Sequence, residues 1–250
     1  MSDHCRFKAI LCAAFAVCGT VTTALAQTIE SPAIKPGDTW VYRSTIEKGT
    51  AGSTQRRNDI VVTRVTSSSI YFTAKEPGSN QVPREFISPI DWSRARSVNG
   101  QETVVNKPLS FPLSVGQTWQ LSYSEDHPAN NKLHKSEQFD SKYVVVGFEP
   151  IEVPAGKFNA LKIEAEGKWT AQLEPTSVVA QGAQVSANDT TMVTHAKKIQ
   201  AGTITGRFYK AFWYVPEVKR WVKSTEEFFS TAGLRTQSFV DELESYQVAK

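Results

Sequence analysis

The chain has 250 residues, with 28 Lys and Arg against 25 Asp and Glu, a formal net charge of +3 and a hydrophobic content of 40%. Its basic residues are scattered as Arg56-Arg57, Arg94/Arg96, Lys197-Lys198 and Lys219-Arg220, which read as solvated strand edges and turns. The concentrated basic face of a nucleic-acid binder is missing. All three cysteines, Cys5, Cys12 and Cys18, precede Gln27, so the rest of the chain has no disulfides, thiolate nucleophiles or cysteine metal sites.

Met1 to Ala26 reads as a signal peptide: Arg6 and Lys8 give a positive start, Ala9 to Leu25 is apolar, and Ala24-Leu25-Ala26 is an A-x-A cleavage signature before Gln27. A retained membrane anchor is the weaker reading, because Gly19, Thr20, Thr22 and Thr23 dilute a run that barely reaches the roughly 20 residues of a span. A lipid anchor needs a small residue before its cysteine, and Val17 precedes Cys18. Removing the leader takes Asp3, Arg6 and Lys8 with it and leaves a formal net charge of +2.

From Ile34 the chain reads as short strands and turns. Pro36-Gly37-Asp38 introduces a strand in which Trp40, Tyr42 and Ile46 share a face at period two. Asp59 to Thr66 and Ile70 to Ala74 continue the meander, separated by Ser67-Ser68-Ser69. Asn99-Gly100 is a type I′ hairpin signal that pairs Arg94–Val98 with Gln101–Val105. Val115-Gly116-Gln117-Thr118-Trp119 then echoes Pro36-Gly37-Asp38-Thr39-Trp40, and a seam near Pro108 divides the chain into β subdomains over 27–108 and 109–250.

Glu125 to Lys132 is a polar loop, and Phe139 to Phe148 is a strand whose centre is apolar on both faces, as in a central strand. Gly147 to Lys168 reads as two strands reversed through Val153-Pro154-Ala155-Gly156, where Gly156 supplies the positive φ. Gln172 to Gly202 has no large aromatic and reads as a mobile hairpin or long loop. Phe208 to Glu227 has the aromatic and β-branched content of a sheet core that pairs with the preceding hairpin. Leu234 to Tyr246 fits the return strand of a hairpin with Trp221 to Phe229 better than a helix, despite the helical spacing of Phe239, Leu243 and Tyr246. The fold class is therefore all-β, predominantly antiparallel, as curved sheets or an open barrel with little helix.

The blocks Phe111-Pro112-Leu113-Ser114-Val115-Gly116-Gln117-Thr118-Trp119, Val153-Pro154-Ala155-Gly156-Lys157-Phe158 and Trp213-Tyr214-Val215-Pro216 occur in that order. This order resembles an uncharacterised family of exported bacterial β-proteins. The similarity covers roughly Phe111 to Tyr246, with a weaker echo at Gly37 to Arg43. It implies an antiparallel β fold in the cell envelope and brings no activity, cofactor or catalytic residue with it.

Motifs of catalysis are missing. His127, His134 and His195 form no H-E-x-x-H or H-x-H pattern and read as solvated; a spatial cluster of His127, His134 and Asp126 is the less favoured alternative. No G-x-S-x-G, S-x-x-K or phosphate-binding glycine loop occurs. The carboxylate pairs Glu149/Glu152, Glu164/Glu166 and Glu226/Glu227 read as exposed strand faces. No enzyme activity, metal or cofactor is therefore expected. The remaining signal is the aromatic crowd of Trp169, Phe208, Phe212, Trp213, Tyr214 and Trp221, which reads as core, with Trp213 at its centre and Trp169 and Trp221 as candidates to line a ligand cavity.

Three functions follow from this reading, all set in the periplasm or outside the cell after leader cleavage, peripheral to the membrane at most and without nucleic acid. The first is non-enzymatic binding of an apolar or amphiphilic small molecule or of an envelope partner. The second is a structural or assembly role, in which a sheet edge or the 172–202 segment docks another envelope protein. The third and weakest is a hydrolase built from distant carboxylates.

Overall fold

The computed structural model describes residues 28–249 apart from 50, 51, 77, 79, 81, 130, 187, 188 and 200, and over 176–200 it describes backbone alone. The expected leader, Met1 to Ala26, lies outside the described residues. The strands are β1 (Thr39–Lys48), β2 (Ser53–Val65), β3 (Ser69–Lys75), β4 (Arg84–Pro89), β5 (Arg94–Val98), β6 (Gln101–Asn106), β7 (Thr118–Asp126), β8 (His134–Val153), β9 (Gly156–Leu173), β10 (Thr176–Ser186), β11 (Asp189–Ile199), β12 (Gly202–Val215), β13 (Arg220–Ser230) and β14 (Arg235–Gln247). Ten of them form one curved antiparallel sheet that stays open, in the order β4-β3-β2-β1-β14-β13-β12-β9-β8-β7; β5–β6 and β10–β11 are separate hairpins. A 3₁₀ turn, Pro216–Val218, is the one helical element among the described residues.

The C-terminal segment is a strand because it is needed on both sides: β14 pairs with β13 and with β1. That pairing puts strands from before and after Pro108 in one sheet. One face of the sheet is covered. Trp40, Tyr42, Tyr143, Val145, Ile163, Phe212, Tyr214 and Leu243 pack there beneath Ile29, Ile34, Trp92, Leu109 and Leu113 from the connecting segments. Each such side chain contributes roughly 1.5–3 kcal/mol of burial, which makes this layer the main source of stability.

Strand β8 lies between β7 and β9, as its apolar centre predicts, but only one of its faces is covered. Tyr143 and Val145 are buried, whereas Val146 and Phe148 are 45% and 39% exposed. A bulge between Val145 and Gly147, with Gly147 at φ +149°, bends the strand there. The β8–β9 hairpin turns at Pro154-Ala155 with Gly156 at φ +133°, and its tip docks on β14, where the Ala155 amide donates to the Leu243 carbonyl at 2.9 Å. The Asn99-Gly100 turn closes β5–β6 with φ of +51° and +80°.

The two G-x-T-W stretches share one turn geometry. The Asp38 amide donates to the Lys35 carbonyl and the Lys35 amide to the Asp38 carboxylate; Gln117 and Ser114 make the equivalent pair of bonds. Each turn then pins its neighbouring strand reciprocally, Gly37 and Asp38 on Val62, and Gly116 and Gln117 on Val145. The copies differ in what the capping side chain does next. Asp38 is 1% exposed and also accepts from Lys219 Nζ at 3.0 Å and from the Ala249 amide, so it locks the 3₁₀ turn and the C-terminus to β1.

Beside that lock, Trp40 Nε1 donates to the Val218 carbonyl and the Tyr42 hydroxyl to the Trp221 carbonyl. Arg220 sits among four rings, its guanidinium carbon 4.0 Å from the centroid of Trp92, 4.5 Å from Trp221, 5.3 Å from Tyr42 and 5.7 Å from Trp40. Its Nε and Nη1 are buried without an acceptor. Burial pushes its pKa down, partly offset by Tyr42 and Asp241. The Lys219-Arg220 pair is thus internal, contrary to the sequence reading of a solvated turn: Lys219 and Arg220 are 9% and 8% exposed, because a carboxylate and an aromatic cage replace water around them.

Candidate ligand cavity

Away from this core, the covered face leaves a hollow of about 450 Å³ between the sheet and the β5–β6 hairpin. That size falls within the range of about 300–1,000 Å³ usual for small-molecule sites. Its floor is aromatic. Tyr123 on β7 stacks on Phe139 of β8 with centroids 4.9 Å apart, and Phe139 and Phe228 lie 6.4 and 6.1 Å from Phe208 of β12. Trp169 and Tyr143 complete it.

Two glycines make this floor possible. Trp169 of β9 is paired with Gly206, and Phe208 with Gly167. A Cβ on Gly206 would stand 2.4 Å from Trp169 Nε1, and one on Gly167 2.2 Å from Phe208 Cζ. The rings therefore lie over bare backbone, so that a large aromatic covers the glycine across the ladder.

The walls carry charge. Lys210 is 7% exposed; its Nζ donates to Asn106 Oδ1 at 3.1 Å and lies 3.5 Å from Glu226 Oε2. Burial lowers the Lys210 pKa, Glu226 works against that, and Arg94 adds to the lowering. The Tyr143 hydroxyl donates to the same Asn106 oxygen at 3.2 Å, and burial pushes its pKa up to about 12. Arg96 holds both Glu125 oxygens, which fastens the hairpin to β7, and Asn99 adds bonds to the Ser124 carbonyl and the Asp126 amide. His134 is not solvated as the sequence suggests. It hydrogen-bonds Glu137 through Nδ1 and Asn131 through Nε2 at 3.0 Å, so neither ring nitrogen is left to face the cavity. His127, by contrast, is 70% exposed beside Glu174.

Of the candidate lining residues, Trp169 is in the cavity wall. Trp221 is 8% exposed, packed against Phe212 and Trp92, and lines neither this hollow nor the one on the opposite face. Trp213, expected in the core, instead lies on the open face between Lys162 and Lys223, its Nε1 donating to Glu149 at 2.5 Å. Alternation and register explain the exchange: Trp213 falls between the inward Phe212 and Tyr214, and a bulge that leaves Val222 of β13 unpaired lets Trp221 and Val222 both be buried.

The open face carries a broader trough of about 1030 Å³, lined by outward polar side chains such as Gln120, Lys142, Glu164 and Lys168. Burial tends to raise the Glu164 pKa, but hydrogen bonds from Lys162 and Tyr209 outweigh it and hold the carboxyl below its usual range. A general acid needs the opposite shift. Among the described residues, no group of three His, Cys, Asp or Glu is placed to hold a metal ion.

The chain matches no family profile and no curated protein. Three solved structures are similar. A protein of Bacteroides fragilis described as exported, with a YmcC-like fold, is 14% identical with a TM-score of 0.41, over 88% of this chain and all of that one. A protein of Parabacteroides distasonis described as a lipoprotein is 13% identical with a TM-score of 0.42 over the same shares, 88% and 100%. YmcC of Escherichia coli, described as a hypothetical lipoprotein, is 10% identical with a TM-score of 0.31, over 84% of this chain and 85% of that one.

Lys210, Arg94 and the His134–Glu137 pair are the site residues that sequence reasoning misses. One signal for the floor is present in the text: Gly167-x-Trp169 and Gly206-x-Phe208 repeat a glycine two places before an aromatic, so both fall on one face of adjacent strands.

Proposed function

We propose that the protein is an exported, non-enzymatic binding protein that holds one apolar or amphiphilic small molecule between its sheet and the β5–β6 hairpin. The observation that supports this most is the aromatic floor laid over Gly167 and Gly206 beneath a hollow of about 450 Å³. Such a floor leaves ring faces to be covered by a ligand's apolar surface. Export rests on the leader expected at Met1 to Ala26, and places the ligand in the periplasm or outside the cell.

Uptake of Nile red, a neutral apolar dye, tests the binding reading. The expected result is saturation at one dye per chain, weakened several-fold by Trp169→Ala and untouched by Trp213→Ala on the opposite face. Absence of uptake by the native protein overturns the reading.

A second reading, docking of another envelope protein, draws support from the sheet's edge strand β4. Among the described residues it pairs with β3 alone, and Phe86 and Ile87 are 44% and 62% exposed there. Such an edge can accept a further strand. Failure of dye uptake together with a specific crosslink from position 87 in the native host would favour it.

A further inference from the structure

The cavity's charges narrow what its ligand carries, on the footing that the cavity is a binding site. Each carboxylate around it is already engaged: Glu125 by Arg96, Glu137 by His134, and Glu226 by Lys210. Arg94 is different. It lines the same hollow, and among the described residues it has no carboxylate within ion-pair distance. Its strand partner is Asn106, the residue whose side-chain oxygen receives both Lys210 Nζ and the Tyr143 hydroxyl. One end of the cavity therefore holds a nine-tenths buried ammonium and a tyrosine hydroxyl on one amide, with the exposed Arg94 lining the same hollow from the neighbouring strand position and a single carboxylate, Glu226, beside the ammonium.

We propose that this end binds the anionic head of a single-chain amphiphile, whose apolar chain lies on the rings of Phe139, Trp169 and Phe208. An anion there pairs the excess cation and relieves the repulsion between Arg94 and Lys210. A cationic head meets two cations at close range, and a neutral head leaves Arg94 without a counter-charge. Arg94 supplies the planar fork suited to a carboxylate or phosphate, and Lys210 a point charge beside it. Discrimination by head charge is where such groups act most strongly, since a like charge placed against them costs affinity.

The test is calorimetric titration of the full protein with dodecanoate, dodecyl phosphate, dodecanol and dodecyltrimethylammonium, repeated with Arg94→Glu. The proposal expects the two anions to bind at least tenfold more tightly than the alcohol or the ammonium. Arg94→Glu should erase that preference while keeping the affinity for dodecanol. Tighter binding of the carboxylate points to a free fatty acid and of the phosphate to a phospholipid-type head, and either supports the proposal. Equal affinity for all four heads, or a preference that survives Arg94→Glu, overturns it while leaving the cavity as a binding site. If none of the four binds, the binding reading itself fails and the head-group proposal falls with it.

Discussion

Arg220 shows how little of a charged residue's fate is written in its neighbours along the chain. Beside Lys219 it reads as part of a solvated basic pair, yet the bend of Pro216–Val218 turns both side chains inward. Two opposing terms set its worth. Cation–π contacts contribute about 0.5–2 kcal/mol each in a desolvated setting, whereas each buried unpaired N–H costs about 1–3 kcal/mol. With four rings and two unpaired nitrogens these nearly cancel. Arg220→Met, apolar and of similar length, should therefore stay within about 1 kcal/mol of the native protein in urea unfolding, while Arg220→Lys, which keeps the charge and loses the stacking plane, should cost at least about 2 kcal/mol. The reverse order would show that the cage needs the guanidinium for something other than packing.

Glu242 belongs to the same scale. Burial tends to raise its pKa, but hydrogen bonds from Arg43 and Lys223 prevail and the carboxyl lies below its usual range. Because the folded value is the lower one, the stabilisation is complete above the ordinary glutamate pKa of about 4.3 and is lost as pH falls toward the folded value. Unfolding between pH 6 and 3 should show a shallower loss of stability in Glu242→Gln than in the native protein. Parallel curves would place the acid sensitivity elsewhere.

At the scale of elements, turns are the most legible parts, because their residues dictate backbone conformation locally. Asn99-Gly100, Pro154-Ala155-Gly156 and the two G-x-T-W turns are where the chain suggests, each with glycine at positive φ. The bulges are not legible. The extra residue, Val222 of β13, follows from fitting that strand against two neighbours, and it accompanies the burial of Trp221, while plain alternation with Phe212 and Tyr214 turns Trp213 outward. The aromatic floor lies between these cases, since G-x-W and G-x-F can be read, but their facing each other across a ladder cannot. Gly206→Ala puts a methyl group against the Trp169 ring and the Phe229 carbonyl, whereas a Cβ at Gly202 meets nothing within 4 Å. Gly206→Ala should cost at least about 2 kcal/mol and weaken dye uptake, with Gly202→Ala close to neutral, by urea unfolding and dye titration. Equal effects at the two sites would mean that the ring does not lie over Gly206.

At the scale of the whole molecule, the strands of the sheet are legible from alternation and turn residues, but their order is not. Nothing local announces that β1 pairs with β14, or that the Asn99-Gly100 hairpin leaves the sheet to stand over it. The cavity arises from that arrangement. It takes its floor from β7, β8, β9, β12, β13 and β14 and its roof from β5–β6, so its polar residues, Arg94 and Lys210 among them, come from distant parts of the chain. The most direct test of the account is native mass spectrometry of the protein purified from its own host without detergent. The account predicts a chain that begins at or next to Gln27 and carries one small amphiphile, released on denaturation and reduced in occupancy by Trp169→Ala. A bare chain that also takes up no amphiphile when one is added would contradict it.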